Sequence, residues 1–182
     1  MPIEYKKGDA TDTSAATPHK PLIIAHVCNN TGAWGAGFTG AVDKAFGPRP
    51  QQVYRTWWDQ HRLANPPLLP YRPGEFTPPR FVLGETQLVL PRHDVYVANM
   101  VAQSGLYSAT NPVPLHYHSL QLCLRSLSHL ADLVAGSEGV TLQMPRIGTG
   151  LARGKWDEVE LLLQAELMNH EVVIVDLPKG GP

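Results

Sequence analysis

Apolar and polar positions fall in blocks along the chain, and the blocks have two different periods. LIIAHV at Leu22–Val27 is an unbroken apolar run, the pattern of a strand buried on both faces. Ile3–Lys6, Phe81–Leu83, Thr86–Leu90, Val95–Val101, Val140–Met144 and Val172–Val175 predict further strands, the last β-branched throughout. Between them the spacing changes to threes and fours. Pro114–Ala135 carries Leu120, Cys123, Leu127, Leu130 and Val134 on one stripe and stops before Gly136. Trp156–Asn169 places Trp156, Val159, Leu163 and Leu167 on one face. Gly37–Phe46, stopped by Gly47-Pro48, and Gln51–Arg62 predict two more helices. Alternating strands and helices mean an α/β layered fold with a mostly parallel sheet. Asn65–Pro79, which holds Pro66, Pro67, Pro70, Pro73, Pro78 and Pro79, reads as a loop.

Composition narrows the function. A length of 182 residues suits one domain spanning 1–182. The chain has 15 Lys+Arg against 16 Asp+Glu, a net charge of -1. That balance argues against binding a nucleic acid through a basic field. The 17 prolines and 16 glycines mean many turns and loops, where function tends to sit. Cys28 and Cys123 cannot build a disulfide framework and read as buried, inert thiols. The opening MPIEYKKGDA has no apolar core of a signal peptide, and no apolar run approaches the ~18–20 residues of a membrane helix. The expected setting is soluble, reducing and cytoplasmic, with no membrane partner.

In open α/β sheets ligands bind beyond the carboxyl ends of the strands. Two glycine-rich loops stand there, each between a strand and a helix. One runs from Cys28 through Asn29, Asn30 and Trp34 to Gly40, and the other from Pro145 through Ile147, Gly148, Thr149, Gly150 and Leu151 to Gly154. Paired loops of this kind offer backbone N–H groups and helix N-termini to an anion. A diphosphate can be held in this way without a cluster of cations, which suits a neutral chain. Gly35-Ala36-Gly37-Phe38-Thr39-Gly40 also matches G-x-G-x-x-G, but its first glycine stands well past the strand end. The acid about 20 residues on, Asp59, falls in a helical pattern, so the dinucleotide-fold reading fails on context. His116 and His118 are two apart near a helix start and do not share a face, so no metal site and no cofactor are expected.

These residues resemble the macrodomain family, the ADP-ribose-binding modules, over nearly the whole chain. Tyr5-Lys6-Lys7-Gly8-Asp9-Ala10 is similar to the family's opening strand and Gly-Asp pair. Gly35–Gly47 resembles the first phosphate loop with its helix, and Met144–Leu151 resembles the second. Ala25-His26 together with Pro145-Arg146-Ile147-Gly148 is similar to the branch of the terminal ADP-ribose protein glycohydrolase and the ADP-ribose 1″-phosphate phosphatase. The run from His26 to Gly35 looks most like the phosphatase. The resemblance implies a three-layer α/β/α macrodomain fold with a mixed, mostly parallel central sheet. It also implies that Asp9 and Ala10 bind adenine. Asn30, Trp34, Gly35, Ala36, Gly37, Phe38, Ile147, Gly148, Thr149, Gly150 and Leu151 would bind the phosphates and ribose.

Two departures bear on catalysis. Asn99-Met100-Val101-Ala102-Gln103 has no lysine where the glycohydrolase uses one, and Ala152 stands where it uses an aspartate. The aspartate and histidine of the other hydrolytic branch are Thr39 and Asp43 here. Candidates for catalysis are then Asn30, Asp43 and His26, each with a plainer reading beside it. Asn30 suits ribose hydroxyls or an Asx-turn. Asp43 is a base if it faces the pocket and a solvated helix charge if it does not. His26 is a core histidine or orients the loop around the distal ribose. Phe38 walls the ribose or packs in the core, and Arg153 either pairs with phosphate or stands in solvent. The expected function is hydrolysis of an ADP-ribosyl bond, removing mono-ADP-ribose from modified protein carboxylates. The alternatives are a non-catalytic ADP-ribose reader and an ADP-ribose 1″-phosphate phosphatase. The expected partner is ADP-ribose or an ADP-ribosylated protein, with nucleic acid only as an ADP-ribosylated end.

Overall fold

The computed structural model describes residues 2–69 and 72–178. Its elements run β1 (Glu4–Lys7), β2 (Leu22–Asn29), α1 (Phe38–Phe46), α2 (Arg49–Arg62), β3 (Thr86–Arg92), β4 (Val95–Gln103), α3 (Tyr117–Val134), β5 (Thr141–Met144), α4 (Trp156–Glu166) and β6 (Glu171–Asp176). Among the described residues the strands form one six-stranded sheet in the order β1-β6-β5-β2-β4-β3. β3 runs antiparallel to β4, and the other neighbours are parallel. The sheet is therefore mixed and mostly parallel, as the pattern of strands and helices predicts.

β2 shows why the architecture has three layers. Ile23 and Ala25 point into a core shared with Leu120, Leu124 and Leu127 of α3 and Val159 and Leu163 of α4. Leu22 and Ile24 point to the opposite face, against Phe38 and Phe46 of α1. Further along that second face, Cys28 packs with Tyr54 and Trp57 of α2. A strand covered on both sides has no solvent face, hence its unbroken apolar run. Fully burying each such side chain contributes about 1.5–3 kcal/mol.

Several boundaries differ from the sequence pattern. Phe81–Leu83 is not a strand. Phe81 instead drops its ring onto Trp57, 4.6 Å between centroids, and the chain turns at Gly84, whose φ of +98° favours glycine. α3 starts at Tyr117, after an extended Pro114–His116 segment held by Leu115 N–H to Ala152 O and His116 N–H to Ala102 O. The His116 side chain caps that helix, accepting from Ser119 N–H at 3.3 Å. α4 ends at Glu166 rather than Asn169, and α2 begins earlier than Gln51, at Arg49, with Pro50 in its first turn. The proline-rich loop is described except for Pro70 and Tyr71, which lie outside the described residues. No helix among the described residues is long and apolar enough to cross a membrane.

Candidate functional site

A cleft of about 530 Å³ opens over the carboxyl ends of β1, β6, β5 and β2. Its walls come from the two glycine-rich loops, each leading into a helix: Asn29, Ala33, Trp34, Ala36 and Gly37 before α1 and residues 145–152 before α4. Its floor includes His26, Val27 and Val175 at the strand ends.

The first loop is tied down from both sides. Asn29 Oδ1 accepts from Thr31 N–H at 3.0 Å, from the Thr31 hydroxyl at 2.8 Å and from Ala33 N–H at 3.1 Å, while its amide donates to Ala33 O at 2.7 Å. The Tyr54 hydroxyl donates to Asn29 O at 2.6 Å and clamps this knot to α2. Further on, Trp34 Nε1–H donates to both carboxylate oxygens of Asp43, each at 3.0 Å. Thr39 Oγ1 accepts from Gly35 N–H at 3.0 Å and donates to Ala36 O at 2.8 Å. With the loop so held, the N–H groups of Ala36, Gly37 and Phe38 have no partner among the described residues.

The second loop closes on Leu115. Gly148 has φ +73°, and a Cβ there would stand 2.9 Å from the Leu115 side chain. A Cβ on Gly154 would stand 2.2 Å from it, so both glycines permit a close approach. Gly154 N–H bonds Gly148 O at 2.8 Å, Arg153 N–H bonds Gly150 O at 3.1 Å, and the Thr149 hydroxyl donates to Arg146 O at 2.8 Å. The N–H groups of Gly148, Thr149, Gly150 and Leu151 are left without partners among the described residues. Two facing rows of free amides, each ahead of a helix, make an anion cradle built from dipoles. Arg146, which also lines the cleft, is spent on Asp176 through bonds of 2.8 and 2.9 Å.

Asp9 stands at the β1 end. Its Oδ1 accepts from Thr11 N–H at 2.8 Å and the Thr11 hydroxyl at 2.7 Å, and these bonds hold its carboxyl below the usual range. Its Oδ2 has no hydrogen-bond partner among the described residues. At the β2 end His26 is 2% exposed beneath Trp34, 5.4 Å between ring centroids, and Phe38, 6.0 Å. Its Nε2 lies 2.7 Å from Asn99 Oδ1. Burial outweighs that bond and holds its pKa down to about 4, so the ring is neutral near pH 7.

Of the candidate residues, the structure gathers Asp9, Ala10, His26, Trp34, Ala36, Gly37, Phe38 and Ile147–Leu151 around the cleft. Asn30, Gly35 and Asp43 do not line it. Asn30 Oδ1 accepts from Gly105 N–H at 2.8 Å, and Asp43 orients Trp34. His116 caps the start of α3 while His118 stands exposed in its first turn, and no group of three or more His, Cys, Asp or Glu among the described residues could hold a metal ion. Lining residues not foreseen include Asn29, Ala41, Gln103, Leu106, Val175 and Leu177. Val175 follows from taking strand ends as the ligand side, whereas Leu106 and Leu177 sit in irregular chain with no local signal.

No family model matches the chain. A macrodomain protein from Streptomyces coelicolor is 33% identical, with a TM-score of 0.73 and a match covering 96% of this chain and 99% of that one. A protein of unknown function from Bacteroides thetaiotaomicron is 32% identical, with a TM-score of 0.78, covering 97% and 99%. An ADP-ribose 1″-phosphate phosphatase from Candida albicans is 24% identical over 163 residues, 89% of this chain and 92% of that protein. One from Meyerozyma guilliermondii is 28% identical over 189 residues, 94% of this chain and 95% of that protein. A mixed sheet between two helical layers, two amide-lined loops over its strand ends and this end-to-end similarity lead to one assignment: the chain belongs to the macrodomain family.

Proposed function

We propose that the cleft binds ADP-ribose and that the protein hydrolyses an ester at the distal ribose, acting as one macrodomain over residues 1–182 in a reducing, cytoplasmic setting. The observation that carries this reading is the pair of facing loops whose amides, Ala36–Phe38 and Gly148–Leu151, lack partners among the described residues. They suit a diphosphate. The cleft extends from Asp9 beyond β1 to His26 on β2, three strand spacings apart and thus about 14 Å at about 4.8 Å per strand. That span suits two ribosyl units joined by a diphosphate. Asp9 Oδ2 would accept from the adenine amino group, and Trp34 and Phe38 would cover the distal ribose.

The chemistry is positional. Asp43 is turned to Trp34, and His26 is too weak a base to carry a proton near pH 7. The loops bend the diphosphate and hold the distal ribose so that a phosphate oxygen of the substrate takes a proton from the water that attacks the ribose carbon bearing the ester, whose C–O bond breaks to release the carboxylate. The expected substrate is mono-ADP-ribose esterified to a protein carboxylate. A phosphomonoester at the same position is the second reading. It is favoured by the relatives named ADP-ribose 1″-phosphate phosphatase. Arg153 does not line the cleft: it is exposed, with its guanidinium 4.7 Å over the Tyr107 ring.

The test measures release of ADP-ribose from modified protein and of phosphate from ADP-ribose 1″-phosphate, comparing wild type with Gly37→Glu. Gly37 has φ +67° and a Cβ there would stand 3.3 Å from the Leu151 side chain, so glutamate there places bulk and negative charge in the anion cradle. Loss of at least about 100-fold in turnover, with a retained circular dichroism spectrum, is expected. Equal activity in both proteins would remove the cleft as the site.

A further inference from the structure

A neutral histidine has two tautomers, and the buried residues beside His26 select one. His26, Asn99 and Gln87 form one row across the sheet, paired in register from β2 to β4 to β3. All three are buried. The far end of the row is anchored on backbone. Val53 O can only accept, so the Gln87 atom 3.3 Å from it is the amide nitrogen, which also donates to Thr77 Oγ1 at 3.0 Å. Gln87 Oε1 is thereby turned to Asn99, whose Nδ2 donates to it at 3.0 Å. A second carbonyl, Pro50 O, lies 3.4 Å from the same Nδ2 and demands the same orientation. Asn99 Oδ1 is left facing His26 Nε2 at 2.7 Å, and an oxygen there can only accept. The proton is on Nε2 and Nδ1 is the accepting nitrogen.

The Nδ1 lone pair has no oxygen or nitrogen partner among the described residues; it meets only the Cys28 thiol, a weak donor 3.8 Å away that a ligand hydroxyl can outcompete. His26 lines the cleft and Asn99 does not, so the ring meets Asn99 through one nitrogen and borders the cleft with the rest of its edge. We propose that Gln87 and Asn99 are positioning residues that lock His26 as its Nε2–H tautomer, and that Nδ1 is a subsite accepting a hydrogen bond from a ligand hydroxyl. An accepting nitrogen repels phosphate oxygens and attracts O–H donors. The subsite therefore sets ligand direction: anion on the loop amides, ribosyl hydroxyl at His26. The ligand half rests on the ADP-ribose reading, and the tautomer does not.

Ring-nitrogen NMR of isotopically labelled wild-type protein tests both halves without a variant. The expected spectrum shows His26 protonated on Nε2 alone. ADP-ribose should move the Nδ1 resonance toward a hydrogen-bonded value, while ADP, which lacks the second ribose, should leave it in place. A proton on Nδ1 would overturn the lock. ADP-ribose that binds, as measured by calorimetry, without moving Nδ1 would overturn the subsite and spare the ADP-ribose reading. Absence of ADP-ribose binding would remove that reading and the subsite together, with the tautomer still decided by the unliganded spectrum. Asn99→Asp supplies a second check. A carboxylate against Nε2 favours the imidazolium, so His26 should show both nitrogens protonated at pH 7 and ADP-ribose should bind about tenfold more weakly.

Discussion

His26 carries a cost that is visible at the level of one residue. The unfolded chain protonates this ring near pH 6.5, whereas the folded chain resists protonation until about pH 4. A histidine held neutral in the fold therefore contributes full stability above its unfolded pKa, and that contribution falls away as pH drops from about 6.5 to about 4. At pH 4.5 the loss is on the order of 2–3 kcal/mol. Urea unfolding of wild type and His26→Gln at pH 7 and pH 4.5 measures it. The wild type should lose more stability than the variant over that interval, and the difference between the two losses is the histidine's share. Asp9, by contrast, is held ionised by Thr11, so its contribution is lost only at lower pH, as its carboxyl protonates.

At the scale of elements, helices and loops hold one another in place. α3 is started by a histidine, through the bond from Ser119 N–H to His116. His116→Ala should cost about 1 kcal/mol and lower Tm by about 2–4 °C, read by calorimetry, with ADP-ribose affinity little changed. The first loop is fastened to α1 by the Trp34–Asp43 pair. Asp43→Ala frees the indole over the cleft. ADP-ribose binding should weaken by about three- to tenfold with a change in tryptophan fluorescence, while Tm moves by only a few degrees. The reverse pattern, with large destabilisation and unchanged affinity, would mean that Asp43 serves the helix and not the loop. These ties also show where sequence stops being informative. Apolar periodicity located β2, α3 and α4 because burial acts on every turn or every second residue. It misplaced the start of α3 because one capping side chain decides that boundary, and it took Phe81 for strand because a buried aromatic anchor has no period. Both loops were legible, since glycines between a buried strand and a helix have few other uses. The sequence pattern puts Asn30 at the cleft, where the structure has Asn29, because the register shifts between Cys28 and Asn29 at the end of β2 and such a shift has no signal in the residue pattern.

On the scale of the whole molecule, net charge and site agree. A net charge of -1 gives the chain no overall positive field to gather a polyanion. Its cleft instead offers amides, with Arg146 neutralised by Asp176. ADP-ribose affinity should accordingly change by less than about threefold between 50 and 300 mM salt, since few counterions are exchanged. A steep salt dependence would assign the diphosphate to Arg153 or another cation. The central claim is that backbone amides of two loops hold a diphosphate. Amide NMR of the full chain titrated with ADP-ribose tests it most directly. Ala36–Phe38 and Gly148–Leu151 should move together, toward hydrogen-bonded values, with one dissociation constant. Binding that leaves those amides unmoved while residues elsewhere shift would contradict it.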